Sequence, residues 1–595
     1  MEKCAQATCF VPDTGCDLGH TDLSKCPIWH GAKVTDTADE DLSGEMLMPW
    51  SGSAFGLADL GFVSGRGKPI VIGVVGPQNA GKTTLLAAWY LLLGRGLAGT
   101  KGHLFAGSYT LSGWEAVAGS MRWAPGQPPR FPAHTTSRGG RAPGLLHLTF
   151  RDENGGRPID YLFSDAPGEW FQRWAINRDS EEGAGARWVS DNADAFMIVA
   201  DRDALAGESM GTARGSLQRI AKRLGAERDG RPVALVWTKS DVDIPPEMEE
   251  AVRGAVTDAM SDVVEHSVSV VGASDGDPLL NKGAGLVELL QWAIGVRRLG
   301  VRLPPPPSTS DDPLFIHGNR KPTSNSILLI GESGVGKTHY GAQLLRRLMR
   351  IPGALRMNGA ATNLEAFEAA LESLDEGRAA GHTARSVNVD SVWPIVDANG
   401  READLVWPEY GGEQIKSVIE NRRLPNPWQK RIDEADAWLL LIRLQQTSVG
   451  DDMFSKPLAD LKGVSVENRE VHPSDQARLV ELLQMLIFSH RSTSTSHSLP
   501  RLGVLLTCWD EAGISQTPPE ALEARLPLVS AFVQSNWRQP LIMGLSALER
   551  PLSPTTRDIE YASKGPEHFG YVVEASGTKS SDLALPIYRL LDAGA

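Results

Sequence analysis

The pattern Gly-x4-Gly-Lys-Thr occurs twice in this chain, as Gly76-Pro-Gln-Asn-Ala-Gly81-Lys82-Thr83 and as Gly331-Glu-Ser-Gly-Val-Gly336-Lys337-Thr338. No other feature narrows its fold so far. Each copy follows a short β-rich apolar run, Pro69 to Val75 and Ser326 to Ile330, and precedes an apolar segment of helical spacing. In that strand–loop–helix setting the loop turns successive backbone N–H groups toward a polyphosphate, and the helix N-terminus adds its dipole. The alternation of strands and helices predicts α/β domains with parallel sheets and ligands at the carboxyl ends of the strands.

The similarity continues downstream of the loops. His134-Thr135 corresponds to His382-Thr383, Gly168-Glu169 to Gly412-Glu413, and Asn177-Arg178 to Asn421-Arg422. Ala193-Asp194-Ala195-Phe196 corresponds to Ala435-Asp436-Ala437-Trp438, and Thr238-x-x-Asp241 to Thr507-x-x-Asp510. The offset between copies is 435 − 193 = 242 at the first of those last two pairs and 507 − 238 = 269 at the second. The second copy therefore holds 269 − 242 = 27 extra residues there, within 445–500. That stretch ends in the polar run Ser489 to Ser498, which reads as a loop. Four consecutive prolines, Pro304 to Pro307, mark a stiff spacer between the copies. The expected organisation is a Cys-rich segment at 1–35, a first domain at 60–300, a linker at 301–321 and a second domain at 322–595.

Four of the five cysteines, Cys4, Cys9, Cys16 and Cys26, fall in the first 26 residues. In a reducing compartment such clustering reads as metal ligation before disulfides, so a zinc knuckle is expected there, with His20 as the substitute ligand. Asp plus Glu outnumber Lys plus Arg by 73 to 59, and the net charge of −14 disfavours a general field for nucleic acid or anionic membrane. The longest apolar stretch, Leu85 to Leu93, is nine residues, well short of the roughly 18 needed to span a bilayer. The start, Met-Glu-Lys-Cys, has no apolar core of a signal peptide, and the expected location is cytoplasmic.

The residues that would hold nucleotide are Gly76, Asn79, Ala80, Gly81, Lys82, Thr83 and Thr84 in the first loop. In the second they are Gly331, Gly334, Val335, Gly336, Lys337, Thr338 and His339. Lys82 and Lys337 would reach the β- and γ-phosphates, and the hydroxyls of Thr83 and Thr338 would ligate Mg²⁺. The strand Tyr161 to Ser164 runs into Asp165-Ala-Pro-Gly168-Glu169, where Asp165 can hold Mg²⁺ through water and the Gly168 N–H can touch the γ-phosphate. Val233 to Trp237 leads into Thr238-Lys239-Ser240-Asp241. A carboxylate at Asp241 accepts from guanine N1–H and the 2-amino group together, a match adenine lacks, while the stem of Lys239 lies along the base. Val270-Val-Gly272-Ala273-Ser274 supplies a last loop for the guanine oxygen. Taken in order, these elements resemble a translation-factor or Ras-type GTPase domain over residues 69–300, with about 40 additional residues before Asp165.

The second copy departs from that pattern. Glu409 stands where the aspartate belongs, ahead of Gly412, and Thr507-Cys508-Trp509-Asp510 keeps the carboxylate but replaces the lysine with Cys508. Gly544-Leu-Ser546-Ala547 closes the set. Two copies behind a Cys-rich leader resemble the bacterial tandem double-GTPase proteins. The resemblance implies two Ras-like P-loop domains in one chain, GTP or GDP with Mg²⁺, and protein partners in a multicomponent conflict or anti-phage system.

The catalytic candidates are Lys82, Asp165, Gly168, Glu169 and the Mg²⁺-sensing threonine of the first switch, for which Thr135 and Thr383 are the candidates and Thr136 the competitor. Glu169 and Glu413 occupy the place of the water-orienting glutamine, where a carboxylate is repelled by the γ-phosphate and equally suits a helix N-terminus. Arg178 and Arg422 read first as helix-end salt bridges and second as arginine fingers. Trp89, Trp114, Trp170 and Trp174 are expected to pack around the switch helices. A tandem ATPase of the transporter type would need a Leu-Ser-Gly-Gly-Gln signature between its motifs, which neither copy has. A scaffold locked by nucleotide, with little turnover, is the other reading, and it suits the second copy better than the first.

Overall fold

Apolar runs without alternation, such as Ile70 to Val75 and Ala195 to Ala200, are the mark of strands covered on both faces, and in the structure they form the parallel middle of a mixed sheet, not the all-parallel sheet expected. The computed structural model describes residues 45–65, 67–100, 102–123, 131–132, 142–271, 281–297, 326–351, 353–380, 391–407, 412–447, 450–455, 473–493 and 498–592. The zinc-knuckle candidates Cys4, Cys9, Cys16, Cys26 and His20, and the proline spacer, lie outside these residues.

Strands are numbered along the chain. β1 (Met46–Leu47) belongs to the second of two compact units. The first unit holds β2 (Ile70–Val75), β3 (His103–Gly107), β4 (Gly144–Asp152), β5 (Ile159–Asp165), β6 (Ala195–Asp201), β7 (Val233–Thr238) and β8 (Val263–Ser267), in the order β3-β4-β5-β2-β6-β7-β8. From β5 to β8 the pairing is parallel, while β3, β4 and β5 pair antiparallel. The chain leaves β2 toward β5 on one side and β6 on the other, so the loop after β2 opens at the point where the strand order reverses. The helix Lys82–Gly94 that follows is buried almost throughout, from Leu85 to Leu93. Trp89, Trp114 and Trp174 are fully buried and Trp170 nearly so, which places them in the core.

The second unit contains β9 (Ile327–Ile330), β10 (Leu355–Met357), β11 (Ser391–Asp397), β12 (Glu402–Trp407), β13 (Arg423–Leu424), β14 (Ala437–Arg443), β15 (Arg501–Thr507), β16 (Leu541–Ser546), β17 (Tyr571–Val573) and β18 (Lys579–Ser580). Its main sheet runs β18-β17-β16-β15-β14-β9, parallel from β9 to β16. Here β10, β11 and β12 form a separate antiparallel sheet, whereas their counterparts in the first unit continue the main one. β9 has four residues against six in β2, and all four pair with β14. One core still joins the two sheets, with Trp393 and Trp407 stacked at 5.2 Å beneath Phe367. Such an aromatic pair adds about 0.5–1.5 kcal/mol beyond its buried area. β1 pairs with β13, extended by the Met48 N–H to the Arg422 carbonyl at 2.9 Å.

The units are not contiguous in sequence. The first takes Pro49–Arg302 and also Gly450–Ala477, and the second takes Leu42–Met48, Leu303–Val449 and Arg478–Ala595. Within the first unit, Asp452 is buried and accepts from Arg95 at 3.2 Å, and Ser474 donates to Glu115 at 2.6 Å. The extra residues of the second copy therefore serve the first unit's fold in part. The polar run expected to loop out from Ser489 begins inside the helix Asp475–Thr493. Buried Val480, Leu482, Leu483, Met485 and Leu486 carry that helix forward, and the Ser492 and Thr493 hydroxyls bond carbonyls four residues earlier.

Candidate functional site

A phosphate loop needs left-handed residues to turn its amides one way, and the two loops take them at matching positions. Asn79 (φ 64°) and Gly81 (φ 84°) in the first correspond to Gly334 (φ 80°) and Gly336 (φ 86°) in the second. Asparagine is among the few residues with a side chain that tolerate this conformation. Lys82 begins the helix Lys82–Gly94 and is only 7% exposed, and its ammonium donates to the carbonyls of Gly76 at 3.1 Å and Pro77 at 2.8 Å. Burial lowers its pKa to about 8, against the opposing pull of Asp165. Lys337 donates to Gly331 at 2.6 Å, and burial lowers its pKa to about 7, opposed by Glu332.

The Thr83 hydroxyl donates to Asp165 Oδ1 at 2.9 Å, so two hard oxygen donors, one from the start of the helix Lys82–Gly94 and one from the end of β5, meet beside the loop. Hard oxygen donors of this kind suit Mg²⁺, which these two residues would hold if it binds with nucleotide. Three residues on, Gly168 opens the helix Gly168–Ile176, and a Cβ there would overlap the backbone of Pro77 and Gln78. Only glycine lets the second switch lie against the phosphate loop. Glu169 is exposed in the first turn of that helix. Glu409 lies outside the described residues, as do the switch candidates Thr135, Thr136 and Thr383 with the neighbouring His134 and His382. Gly412 begins the helix Gly412–Asn421.

The base loops are built alike. Asp241 accepts from the Ser269 hydroxyl at 2.5 Å, and Asp510 from the Ser546 hydroxyl at 2.5 Å. Ser269, two residues past β8, is the serine that meets Asp241, ahead of the expected Ala273 and Ser274, which lie outside the described residues. The signal available was its place directly after the β-rich run. Thr238 ties this loop to the phosphate loop through the Ala80 carbonyl at 2.9 Å. Lys239 (φ 53°) and Cys508 (φ 51°) share one strained left-handed conformation. The Lys239 ammonium pairs with Asp201 at 2.9 Å and Asp203 at 3.1 Å; burial alone would lower its pKa, but these carboxylates outweigh it and raise it. Burial, reinforced by Glu511, pushes the Cys508 thiol up to about 11, so it stands as a neutral thiol at neutral pH.

Gly168, Asn79, Lys82, Lys239, Asp241 and Ser269 line one cavity of about 600 Å³ at the carboxyl end of the first unit's sheet. Arg178 is engaged by Asp191 and Glu227, and Arg422 by Glu481, which gives both the salt-bridge role. His339 accepts the Ala380 N–H at Nε2 at 3.0 Å, and burial, with Arg443 nearby, lowers its pKa.

The two lysines set a pH dependence. A bound polyphosphate favours the ammonium, so binding raises each pKa and takes up a proton wherever the free lysine is partly neutral. Affinity should therefore fall as pH rises above about 7 at the second loop and about 8 at the first. Calorimetric titration of GDP near pH 8, in two buffers of different ionisation enthalpy, should show net proton uptake. Uptake of zero would contradict the lowered lysines.

Comparison with known proteins adds an independent finding. A family model described as Double-GTPase 2 matches residues 70–293, and one described as Double-GTPase 1 matches residues 328–590. No curated protein matches the chain. Among solved structures, the signal recognition particle receptor SRb-GTP/SRX complex from Chaetomium thermophilum is 15% identical, covering 35% of this chain and 94% of that one, with a TM-score of 0.21. Era in complex with MgGDPNP and a segment of 16S ribosomal RNA is 17% identical, covering 49% and 72%, with a TM-score of 0.20. A bacterial selenocysteine-specific elongation factor is 15% identical, covering 38% and 28%, with a TM-score of 0.19.

Proposed function

This chain belongs to the tandem double-GTPase family, with one such domain in each half, and from that premise we propose that it acts as a regulatory switch driven by GTP binding and hydrolysis. The observation that carries this reading is the recurrence of one arrangement in both units. A phosphate-loop lysine that donates to its own loop's first glycine carbonyl, buried in the first unit and half-buried in the second, stands at one end, and a carboxylate oriented by a serine stands at the other.

The first unit is proposed as the hydrolase. Its own groups supply three things: the Lys82 ammonium for the transferred phosphoryl group, Thr83 with Asp165 to hold Mg²⁺, and Gly168 to bring the second switch against the loop. Magnesium, when bound there, neutralises phosphate charge. Glu169 brings a negative charge where Ras-type enzymes use an amide, so intrinsic turnover should be slow without a partner. The second unit is proposed as the slower, sensing site, since Cys508 replaces the base-covering lysine.

Two finer readings accompany this one. Cys4, Cys9, Cys16 and Cys26, with His20 as alternate, are proposed to bind one zinc. Family resemblance also supports a place in a multicomponent bacterial defence system, tested by phage plaquing on cells expressing wild type or Lys82→Ala. A cytoplasmic location is proposed; no helix among the described residues is long and apolar enough to cross a membrane. The deciding experiment is recovery of nucleotide from denatured protein, with metal analysis of the same preparation. Guanine nucleotide and about one zinc are expected, the zinc lost in a Cys9→Ser, Cys16→Ser variant. Adenine nucleotide in place of guanine would overturn the assignment.

A further inference from the structure

The two base loops differ by one cation, and strand register locates a replacement. Asp201 stands opposite Thr238 in the β6–β7 ladder, and Arg443 stands opposite Thr507 in the β14–β15 ladder. Both are the last residue of the strand beside the phosphate-loop strand, so the positions are equivalent. In the first unit that position is an anion paired with the Lys239 ammonium. In the second unit both partners have changed, the lysine to a neutral thiol and the strand-end carboxylate to a guanidinium. Keeping the anion after losing the lysine would have left a carboxylate at the site without its counter-ion.

Arg443 is half-buried between the two loops that grip a nucleotide. Its Nε and Nη2 donate to Glu511 at 3.2 and 2.7 Å, and its Nη1 donates to the Gly334 carbonyl of the phosphate loop at 3.3 Å. Asp510, the proposed guanine reader, is one residue from Glu511, and Glu511 is held on the guanidinium. The group is therefore anchored at one side to the base loop and at the other to the phosphate loop.

We propose that Arg443 is the base-covering cation of the second unit, supplying from the strand end what Lys239 supplies in the first unit from the base loop. A guanidinium is planar, delocalised and weakly hydrated, so it stacks on a purine face better than an ammonium does. The proposal rests on the reading that the second unit binds guanine nucleotide.

The test uses the full chain in an Asp241→Asn background, where the first unit's preference moves to xanthine and GDP reports the second unit. Calorimetry should find one GDP per chain in that background. Arg443→Ala should weaken this binding at least tenfold, and adding Cys508→Lys should restore it to within threefold, because the cation returns by the other route. Glu511→Gln, which keeps the guanidinium but removes its charged partner, should bind within threefold of the background. Binding within threefold in Arg443→Ala would overturn the role of Arg443. So would loss without rescue by Cys508→Lys, or equal loss in Glu511→Gln, since either would make the ion pair a structural strut. Absence of GDP binding in the unaltered background would instead overturn the underlying reading of the second unit. Thermal melting of each variant separates lost binding from lost folding.

Discussion

Steady-state GTP hydrolysis by the Lys82→Ala variant is expected to fall by about 10²–10³-fold, the usual cost of removing one preorganised charge from a transition state. The expectation follows from where the ammonium sits. Burial has already lowered its pKa to about 8, yet the Gly76 and Pro77 carbonyls hold it in place at the head of the helix Lys82–Gly94. A charge so fixed needs no reorganisation as negative charge shifts on the phosphoryl group. Alanine leaves that charge unmet and keeps the rest of the loop. Lys337→Ala, in contrast, should leave most turnover in place and change nucleotide occupancy instead. Matched assays of the two variants decide the assignment. If Lys337→Ala loses turnover while Lys82→Ala retains it, the roles of the two units are reversed.

The second large effect is expected in Asp241→Asn. The carboxylate would accept two hydrogen bonds from guanine, each of the charge-assisted kind worth about 1.5–3 kcal/mol. Together they amount to about 3–6 kcal/mol, or roughly 10²–10⁴-fold in affinity for GDP at the first site. An asparagine amide turns one acceptor into a donor, which clashes with the 2-amino group of guanine but suits the carbonyl of xanthine. The Ser269 hydroxyl, 2.5 Å from Asp241 Oδ1, can still donate to the amide oxygen, so the side chain keeps its orientation. Titrations of GDP and XDP should therefore move in opposite directions. Equal weakening of both would mean that Asp241 supports the loop without reading the base, and undiminished GDP affinity would remove it from the first site altogether.

Much of this was legible in the residues. The loops announce themselves because their function is local. Glycine or asparagine must stand where φ is positive, the lysine must follow, and a helix must start there. The same locality explains why Gly168 could be found, since no other residue fits against Pro77 and Gln78. Ser269 is not legible in the sequence because its meeting with Asp241 spans 28 residues and depends on how β7 and β8 end side by side. The run beginning at Ser489 looked like a loop because its composition is polar, yet buried apolar residues just before it carry the helix on to Thr493.

The amino-acid sequence by itself determined that this chain holds two phosphate loops, the lysine of each, and a carboxylate at each base loop, because those demands act over a few covalently linked residues. Tertiary structure alone decided which groups neutralise one another. Lys239 answers to Asp201 and Asp203 across neighbouring strands, Arg443 stands in the register position of Asp201, and Gly450–Ala477 folds with the first unit. These pairings are set by sheet register and long-range burial. Charge is stabilised by whatever lies nearest in space, and along the chain those partners are tens to hundreds of residues apart.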